Sequence, residues 1–272
     1  MAPRKDRPRK VGPKRLYPGL PGPKTLDLVD LFIFLLDSRI PKTSLELSEP
    51  YLRRRKRVYV MSKSDLADPD ITEKWMDYFR KDGFPCFAVD ANAGLGVSEL
   101  ASFLKRNREE MNRRSDDEFE KKPLRVMLFG LPNVGKSSLA NRLLRTSKAS
   151  FGAKPGLTRS SYWLRADHSV EILDTPGVID TSQVKGETLY KLAATWAVSE
   201  NQYDPGEVAF WLAKEVFNAE APLEYLTEFG LSRGMLASGG VVDINRACTA
   251  LIQQFRTGNL GRISLEKPGL NG

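Results

Sequence analysis

A glycine-rich stretch near the middle of the chain carries the strongest chemical signal in the sequence. Its Gly-x4-Gly-Lys-Ser spacing starts at Gly130 and ends at Lys136 and Ser137. Backbone N–H groups of such a turn cradle α- and β-phosphates, the lysine reaches the β- and γ-phosphates, and the serine hydroxyl binds Mg²⁺. The stretch therefore predicts a nucleoside triphosphate site with Lys136 as a catalytic group. The residues predicted to contact the nucleotide here are Asn133, Val134, Gly135, Lys136, Ser137 and Ser138.

A second motif, Asp174-Thr175-Pro176-Gly177, ends another apolar run downstream. In phosphate-loop nucleotidases an Asp at this place holds Mg²⁺, and the Gly lets a backbone N–H approach the γ-phosphate. Asp-x-x-Gly alone also forms ordinary turns, but its position after a phosphate loop strengthens the signal. We predict Asp174 as a metal ligand and Gly177 as a nucleotide-binding and catalytic residue.

The loop at residues 152–158 lies between these two motifs and ends at Thr158. A Thr in this loop can put its hydroxyl on Mg²⁺ and its backbone on the γ-phosphate, which makes the loop a switch. An ordinary Pro-Gly turn is the alternative interpretation. We predict Thr158 as a metal ligand and catalytic residue.

A base-reading motif precedes the phosphate loop and consists of Ser62, Lys63, Ser64 and Asp65. An Asp carboxylate accepts two N–H bonds from the Watson–Crick edge of guanine. Adenine offers no matching pair of donors, so this contact selects GTP over ATP. Lys63 is predicted to lay its aliphatic stem along the base.

Two further features bear on guanine recognition. Ser62 stands where an Asn is usual, and its shorter hydroxyl weakens the tie that the Asn amide makes to the phosphate loop. Asp90 and Ala91 follow another apolar run, and they are predicted to supply a backbone N–H to the guanine oxygen.

Short apolar runs and helical repeats must position these motifs. Up to residue 180 the two alternate, which predicts a doubly wound, mostly parallel α/β sheet. Ligands bind at the carboxyl ends of such strands, where every motif above lies. The helical patterns that follow predict a small all-α domain. The strands are predicted at 31–36, 57–61, 85–89, 124–129 and 170–173, and the later helices at 187–199, 206–219, 222–228 and 242–257.

Composition narrows the class of protein. The chain has 272 residues, of which 41% are apolar, enough for one large core or two modest cores. Its net charge of +8 favours a polyanionic partner such as nucleic acid. Residues 1–15 are rich in Pro, Lys and Arg, and they form either a solvated tail or an arm that docks on nucleic-acid phosphates.

Cysteine and histidine are scarce. Two cysteines and one histidine argue against a disulfide framework, a zinc cluster and a His-based catalytic triad. We expect both cysteines to be reduced and buried. No apolar run is long enough to span a membrane, and none follows the N-terminus as a secretory leader. These observations predict a soluble cytoplasmic protein with no membrane insertion.

The order of the motifs is unusual, because the base-reading motif comes before the phosphate loop. This order resembles the circularly permuted GTPases, and most closely the bacterial ribosome biogenesis GTPase A family, the YlqF-like branch. The resemblance extends to the Asp-Ser-Arg-Ile-Pro stretch at 37–41 and to stretches at 239–247 and 258–263. It implies a circularly permuted P-loop GTPase domain over 16–180, preceded by the basic flexible arm 1–15 and followed by a helical RNA- or ribosome-binding domain over 181–272.

The same resemblance implies a GTP-binding and GTP-hydrolysing switch in late assembly of the large (50S) ribosomal subunit. Its cofactors would be GTP or GDP with Mg²⁺. In potassium-activated relatives an Asn matching Asn133 helps to hold K⁺, which would neutralise transition-state charge. The expected partners are a large-subunit precursor and rRNA, with no DNA, and the free protein is expected to be a monomer.

Two departures concern hydrolysis. Val178 follows the Asp-x-x-Gly motif where Ras-type enzymes have a water-positioning Gln, and Leu20 stands where the family usually has a His proposed to act in catalysis. We therefore expect slow turnover without ribosomal particles. The alternative is a nucleotide-dependent rRNA-binding assembly factor with weak or vestigial hydrolysis. A permuted GTPase of the small subunit is a further alternative, although the Cys and His counts argue against its zinc-bearing kind.

Overall fold

Six strands form one sheet at the centre of the molecule. The computed structural model describes residues 23–48, 55–114, 122–146, 162–166, 169–174, 181 and 183–269. The strand order is β3-β2-β1-β4-β6-β5, and every neighbouring pair is parallel except β5 with β6. The predicted doubly wound, mostly parallel sheet is confirmed. The strands are β1 Leu31–Asp37, β2 Arg57–Ser62, β3 Cys86–Val89, β4 Leu124–Gly130, β5 Tyr162–Ala166 and β6 Val170–Asp174.

Strand β1 lies in the middle of the sheet, and all seven of its residues are buried. Successive side chains of a strand point to opposite faces. Leu31, Ile33 and Leu35 accordingly join one apolar core, whereas Phe32 and Phe34 join a second core on the opposite face. A continuous apolar run is therefore required here, because both faces of the strand are covered.

Nine helices lie among the described residues. Residues Pro69–Lys81 form a helix whose start is capped by the Asp68 carboxylate, which accepts from the backbone N–H groups of Asp70 and Ile71. Cys86 and Cys248 are free and buried, as expected. The helices are α1 Pro23–Leu26, α2 Pro41–Ser48, α3 Pro69–Lys81, α4 Val97–Arg113, α5 Lys136–Thr146, α6 Gly186–Ala194, α7 Pro205–Phe217, α8 Pro222–Leu231 and α9 Ile244–Thr257.

The four helices α6 to α9 form a C-terminal bundle that packs on the sheet. Leu192, Leu212 and Leu251 of this bundle belong to the same apolar core as Ile33 of β1. Helix α6 is shorter than the predicted 187–199, because Trp196 has φ 68° and cannot continue a right-handed helix. No helix among the described residues has the length and apolarity needed to cross a membrane.

Candidate nucleotide site

The sheet brings two distant parts of the chain to one edge. Strand β2 ends at Ser62, β3 is followed by Asp90, and β4 ends at Gly130, all at the carboxyl edge of the parallel sheet. A pocket of about 430 Å³ opens there. It joins the predicted base-reading residues to the predicted phosphate-loop residues. Its lining includes Ser62, Lys63, Asp65, Asp90, Ala91, Asn133, Val134, Gly135 and Ser138.

The phosphate loop links β4 directly to α5. Gly130 has φ 155° and Gly135 has φ 103°, conformations that favour glycine. A Cβ at Gly130 would also collide with the backbone carbonyl oxygen of Leu35 in the neighbouring strand. The loop therefore needs glycine at its start for a steric reason, and it delivers the N-terminus of α5 to the pocket.

Lys136 is buried at the start of α5. Its Nζ donates to the backbone carbonyl of Gly130 at 3.0 Å and to that of Leu131 at 2.7 Å. The side chain thus folds back across its own loop and places its positive charge where the loop curves. Ser137 follows in the first turn of α5.

Ser62 is buried and ties the base-reading motif to β1. Its Oγ donates to the Leu36 carbonyl at 3.1 Å. Its own carbonyl accepts from the backbone N–H and the hydroxyl of Ser38, at 3.0 and 2.7 Å. The tie that an Asn would make to the phosphate loop is therefore replaced here by bonds within the sheet.

Lys63 is held by the end of β1. It has φ 53°, and its Nζ lies 3.0 Å from Asp37 Oδ2 and donates to the Thr195 carbonyl at 3.4 Å. Arg39 contacts both Asp37 oxygens at 2.9 Å. Burial by itself raises the pKa of the Asp37 carboxyl, but Arg39 and Lys63 outweigh it and hold this pKa well below its ordinary range. Asp37 is therefore a buried carboxylate that orients Lys63.

Sequence reasoning did not assign this role to Asp37. The signal available was a lone acid at the end of an otherwise apolar strand, at the edge of the sheet where ligands bind. The geometry that joins it to Lys63 comes from the register of β1 with β2, which pairs Asp37 with Ser62.

Asp65 lies at the rim of the pocket in a short 3-10 helix, Ser64–Leu66. Burial, and next the charge of Asp90, raise the pKa of Asp65 above its ordinary value. Asp90 Oδ1 accepts from the backbone N–H groups of Asn92 and Ala93, at 2.8 and 3.1 Å. Within the described part of the chain, no group accepts a hydrogen bond from the Ala91 N–H. The loop is thus fixed with one backbone donor available at the pocket.

The C-terminal bundle closes one side of the pocket. Asn133 Nδ2 donates to the Trp196 carbonyl at 2.8 Å. Arg256 lies over the Trp196 ring at 5.1 Å and donates to the Ala193 carbonyl at 2.7 Å. Trp196 and Arg256 both line the pocket. No local motif marks these two residues, and only the packing of the bundle brings them to the site.

Several predicted site residues lie wholly or partly outside the described part of the chain. Asp174 ends β6, next to β4, but its side chain is outside the described part. Among the described residues, no group of three acidic, His or Cys side chains is arranged to hold a metal ion. Outside the described residues lie Thr158, Gly177, Val178, Leu20 and the arm 1–15.

Comparison with known proteins gives a consistent result. A family model described as "50S ribosome-binding GTPase" matches residues 125–204. Ribosome biogenesis GTPase A of Priestia megaterium is 32% identical over 262 residues, covering 89% of this chain and 91% of that protein. The Thermotoga maritima protein of the same name is 28% identical over 248 residues, covering 89% of this chain and 88% of its own.

Solved structures agree with the sequence comparison. The GDP-bound structure of T. maritima YlqF superposes with a TM-score of 0.68 and 26% identity, covering 90% of this chain and 97% of that one. The GNP-bound structure of YlqF has a TM-score of 0.65 and 25% identity, covering 90% and 95%. The sheet and the bundle of this chain are therefore similar to those of a permuted GTPase over most of their length.

Proposed function

The chain belongs to the ribosome biogenesis GTPase A family, and we propose that it is a GTP-hydrolysing switch acting late in assembly of the large (50S) ribosomal subunit. One observation carries the proposal: residues of the predicted base-reading motif and residues of the phosphate loop line a single pocket, whose lining does not include Ser64, Lys136 or Ser137. Neither motif alone would specify a guanine nucleotide. Their meeting at the carboxyl edge of the sheet supports both halves of the assignment.

Guanine recognition is assigned to Asp65, Lys63 and Ala91. The Asp65 carboxylate would accept from the two N–H donors on the Watson–Crick edge, and the Ala91 N–H would donate to the guanine oxygen. The Lys63 stem would pack on the base, since Asp37 and the Thr195 carbonyl hold its ammonium group. Adenine would leave these polar groups unpaired, which is the physical basis of selectivity.

Phosphate binding is assigned to the loop and to α5. Backbone N–H groups from Asn133 to Ser138 would surround the phosphates, and Lys136 would neutralise their charge. Ser137, Thr158 and Asp174 would hold Mg²⁺, which neutralises charge on the transferring phosphoryl group. The Gly177 N–H would contact the γ-phosphate.

Hydrolysis is expected to need help from the ribosomal particle. Val178 and Leu20 cannot accept a proton or orient a water through a hydrogen bond, and both stand where related enzymes have groups that can. Asn133 is proposed to hold K⁺ through its amide oxygen, because its Nδ2 already donates to Trp196. A cation there would stabilise developing charge as an arginine finger does.

The partner is proposed to be rRNA of a large-subunit precursor, with the protein acting as a cytoplasmic monomer. Charge is unevenly spread along the chain. Residues 1–180 contain 34 Lys and Arg against 24 Asp and Glu, whereas residues 181–272 contain eight against ten. Electrostatic attraction to the phosphates of rRNA would therefore come mainly from residues 1–180. The C-terminal bundle would bind the ribosomal particle through shape and specific contacts.

Salt dependence tests this partition of charge. Binding to ribosomal particles is expected to weaken steeply with salt, because each phosphate contact releases a counterion. A chain lacking residues 1–15, which carry seven Lys and Arg and one Asp, should show a shallower slope. An unchanged slope would remove the arm from the interface.

Single-turnover hydrolysis tests the function itself. Radiolabelled GTP would be followed with the protein alone and with a large-subunit precursor, beside a Lys136→Ala control. We expect slow hydrolysis by the protein alone and faster hydrolysis when the precursor is added. Lys136→Ala should show no such acceleration. If GTP binds but the particle gives no acceleration, the chain is the second candidate, a nucleotide-dependent rRNA-binding factor. Fast hydrolysis by the protein alone would contradict the role given to Val178 and Leu20.

A further inference from the structure

Residues 259–268, which we name the C-terminal strap, leave α9 and return to the base-reading motif. Helix α9 ends at Thr257, and the next residue, Gly258, has φ 77° and turns the chain back toward the sheet. The strap then runs beside residues 63–68, the segment that carries Asp65. The proposed function of the pocket does not by itself account for this return.

The strap holds the backbone on both sides of Asp65. Arg262 Nε donates to the Ala67 carbonyl and Arg262 Nη2 donates to the Ser64 carbonyl, each at 2.9 Å. The Ile263 N–H donates to the Leu66 carbonyl at 3.1 Å. The guanidinium therefore spans the short 3-10 helix and joins its beginning to the residue just beyond its end.

A fourth bond extends this pairing. The backbone N–H of Asp68 donates to Ser264 Oγ at 3.2 Å. Asp68 also caps helix α3, so the strap acts on the exact point where the base-reading segment passes into a rigid helix. The segment is thereby held along its length by residues about two hundred positions away in sequence.

The strap is itself held by contacts with other elements of the fold, so it can fix the position of the segment that carries Asp65. Leu265 N–H donates to the Arg39 carbonyl at 2.9 Å. The buried Glu266 carboxylate accepts from the Thr43 backbone N–H at 3.1 Å and lies 3.3 Å from Lys191 Nζ. Trp75 Nε1 donates to the Glu266 carbonyl at 3.2 Å. These contacts join the strap to α2, α3 and α6 at once.

We infer that the strap, through Arg262, is a positioning element for guanine recognition that holds the segment carrying Asp65. Ser62 bonds within the sheet, to Leu36 and Ser38, and not toward the phosphate loop. Asp65 lies at the pocket rim, and its orientation depends on the backbone that Arg262 holds. Arg262 also lowers the pKa of Asp65, against burial and Asp90, and so favours the charged form that accepts from guanine. This inference rests on the proposed function.

The test compares nucleotides that differ only where Asp65 would contact them. GDP carries the 2-amino donor of guanine, and IDP lacks it. Arg262→Met keeps much of the side-chain length and removes both hydrogen bonds. We expect it to weaken GDP binding roughly tenfold, since charged hydrogen bonds are lost from the loop. IDP binding should weaken less, so the ratio of GDP to IDP affinity falls.

Two matched variants accompany this measurement. Arg233→Met removes another exposed arginine that donates to a backbone carbonyl, that of Phe229, away from the loop. It should leave the ratio unchanged. Arg262→Lys keeps one positive donor and should recover part of the ratio. If Arg262→Met lowers the melting temperature but preserves the GDP to IDP ratio, the strap is only structural and the inference is overturned.

A double-mutant cycle separates action through Asp65 from general loosening. In an Asp65→Ala background, Arg262→Met should change GDP affinity by less than about twofold, because coupled residues are not additive. Full additivity would overturn the inference. If Arg262→Met fails to fold, Ser264→Ala tests the same segment. It should also lower the ratio of GDP affinity to IDP affinity, but by a smaller factor. An unaltered chain with no preference for GDP over IDP and ADP would overturn the proposed function, and this inference with it.

Discussion

Two halves of the pocket are built in opposite ways. The half proposed to bind phosphates, residues 130–138, is the phosphate half; it is one continuous segment in which Lys136 bonds to the carbonyls of Gly130 and Leu131. The half proposed to bind guanine, residues 62–68 and 90–91, is the guanine half; it is held by β1, by the turn at Thr195 and by the C-terminal strap.

This difference explains why the two motifs are unequally recognisable. A self-contained loop must keep its residues at fixed spacing, because its own backbone makes the site. A segment braced by distant parts can tolerate a change such as Ser62, since other contacts supply the support. The molecule therefore has a locally determined phosphate half and a guanine half that depends on the whole fold.

The largest effect is expected in the phosphate half. Lys136→Ala removes a buried cation that no neighbouring residue of the loop replaces. Single-turnover hydrolysis with ribosomal particles should fall by about a hundredfold or more, as for loss of other charge-stabilising groups. Lys214→Ala, at an exposed lysine of α7, is the control and should not change the rate. If the hydrolysis rate falls only a few-fold, the backbone N–H groups of the loop would supply most of the stabilisation of the phosphates.

Asp37→Asn should show how far the guanine half depends on one distant carboxylate. The change leaves Arg39 and Lys63 without their buried counter-charge, and unfolding in urea should show a loss of about 3 kcal/mol. Asp27→Asn breaks only the exposed pair with Arg55, and it should cost less than about 1 kcal/mol. Equal losses in the two variants would contradict the role assigned to Asp37.

The same carboxylate predicts a pH dependence of stability. The folded-state pKa of Asp37 lies below its ordinary value, so its contribution is complete above the ordinary pKa of 3.8. It is lost as pH falls from there toward the lower folded-state pKa. The free energies of unfolding of the unaltered chain and of Asp37→Asn, measured in urea, should therefore become more nearly equal as the solution is made more acidic.

A smaller effect is expected from Asp65→Asn, which alters one contact of the guanine half. GDP affinity should fall by about ten- to a hundredfold, and binding of xanthosine diphosphate should improve, because the hydrogen-bond pattern at the base edge is reversed. Asp70→Asn, at an exposed acidic residue of α3, is the control and should leave GDP affinity unchanged. Because the pKa of Asp65 is raised, GDP affinity of the unaltered chain should decline as pH falls through that value. Unchanged GDP binding in Asp65→Asn would remove Asp65 from the site.

The smallest effect should come from the contact between the phosphate half and the bundle. Asn133→Ala removes the bond to the Trp196 carbonyl, and GDP affinity should fall by only about threefold. If Asn133 also holds K⁺, the unaltered chain should hydrolyse GTP faster in KCl than in NaCl when ribosomal particles are present. In Asn133→Ala the two rates should be equal. A preference that survives the substitution would assign K⁺ to other residues.

Much of the architecture was predictable from sequence. The continuous apolar run at 31–36 correctly predicted a central parallel strand, because a strand buried on both faces is apolar throughout. The predicted strand at 124–129 is also confirmed. The motif after each run predicted which residues would meet at the carboxyl edge. The roles of Thr158 and Gly177 stay predictions, as does the division of the chain at residue 180.

The sequence by itself was enough to predict the phosphate half, because its glycine spacing and the helix that follows belong to one continuous segment. Tertiary structure alone decided the rest. Strand register placed Asp37 on Lys63, a left-handed Trp196 ended α6 where its carbonyl meets Asn133, and the strap brought Arg262 across the Asp65 segment. Each contact joins residues far apart in sequence, so no local pattern contains it until the sheet and the bundle have packed together.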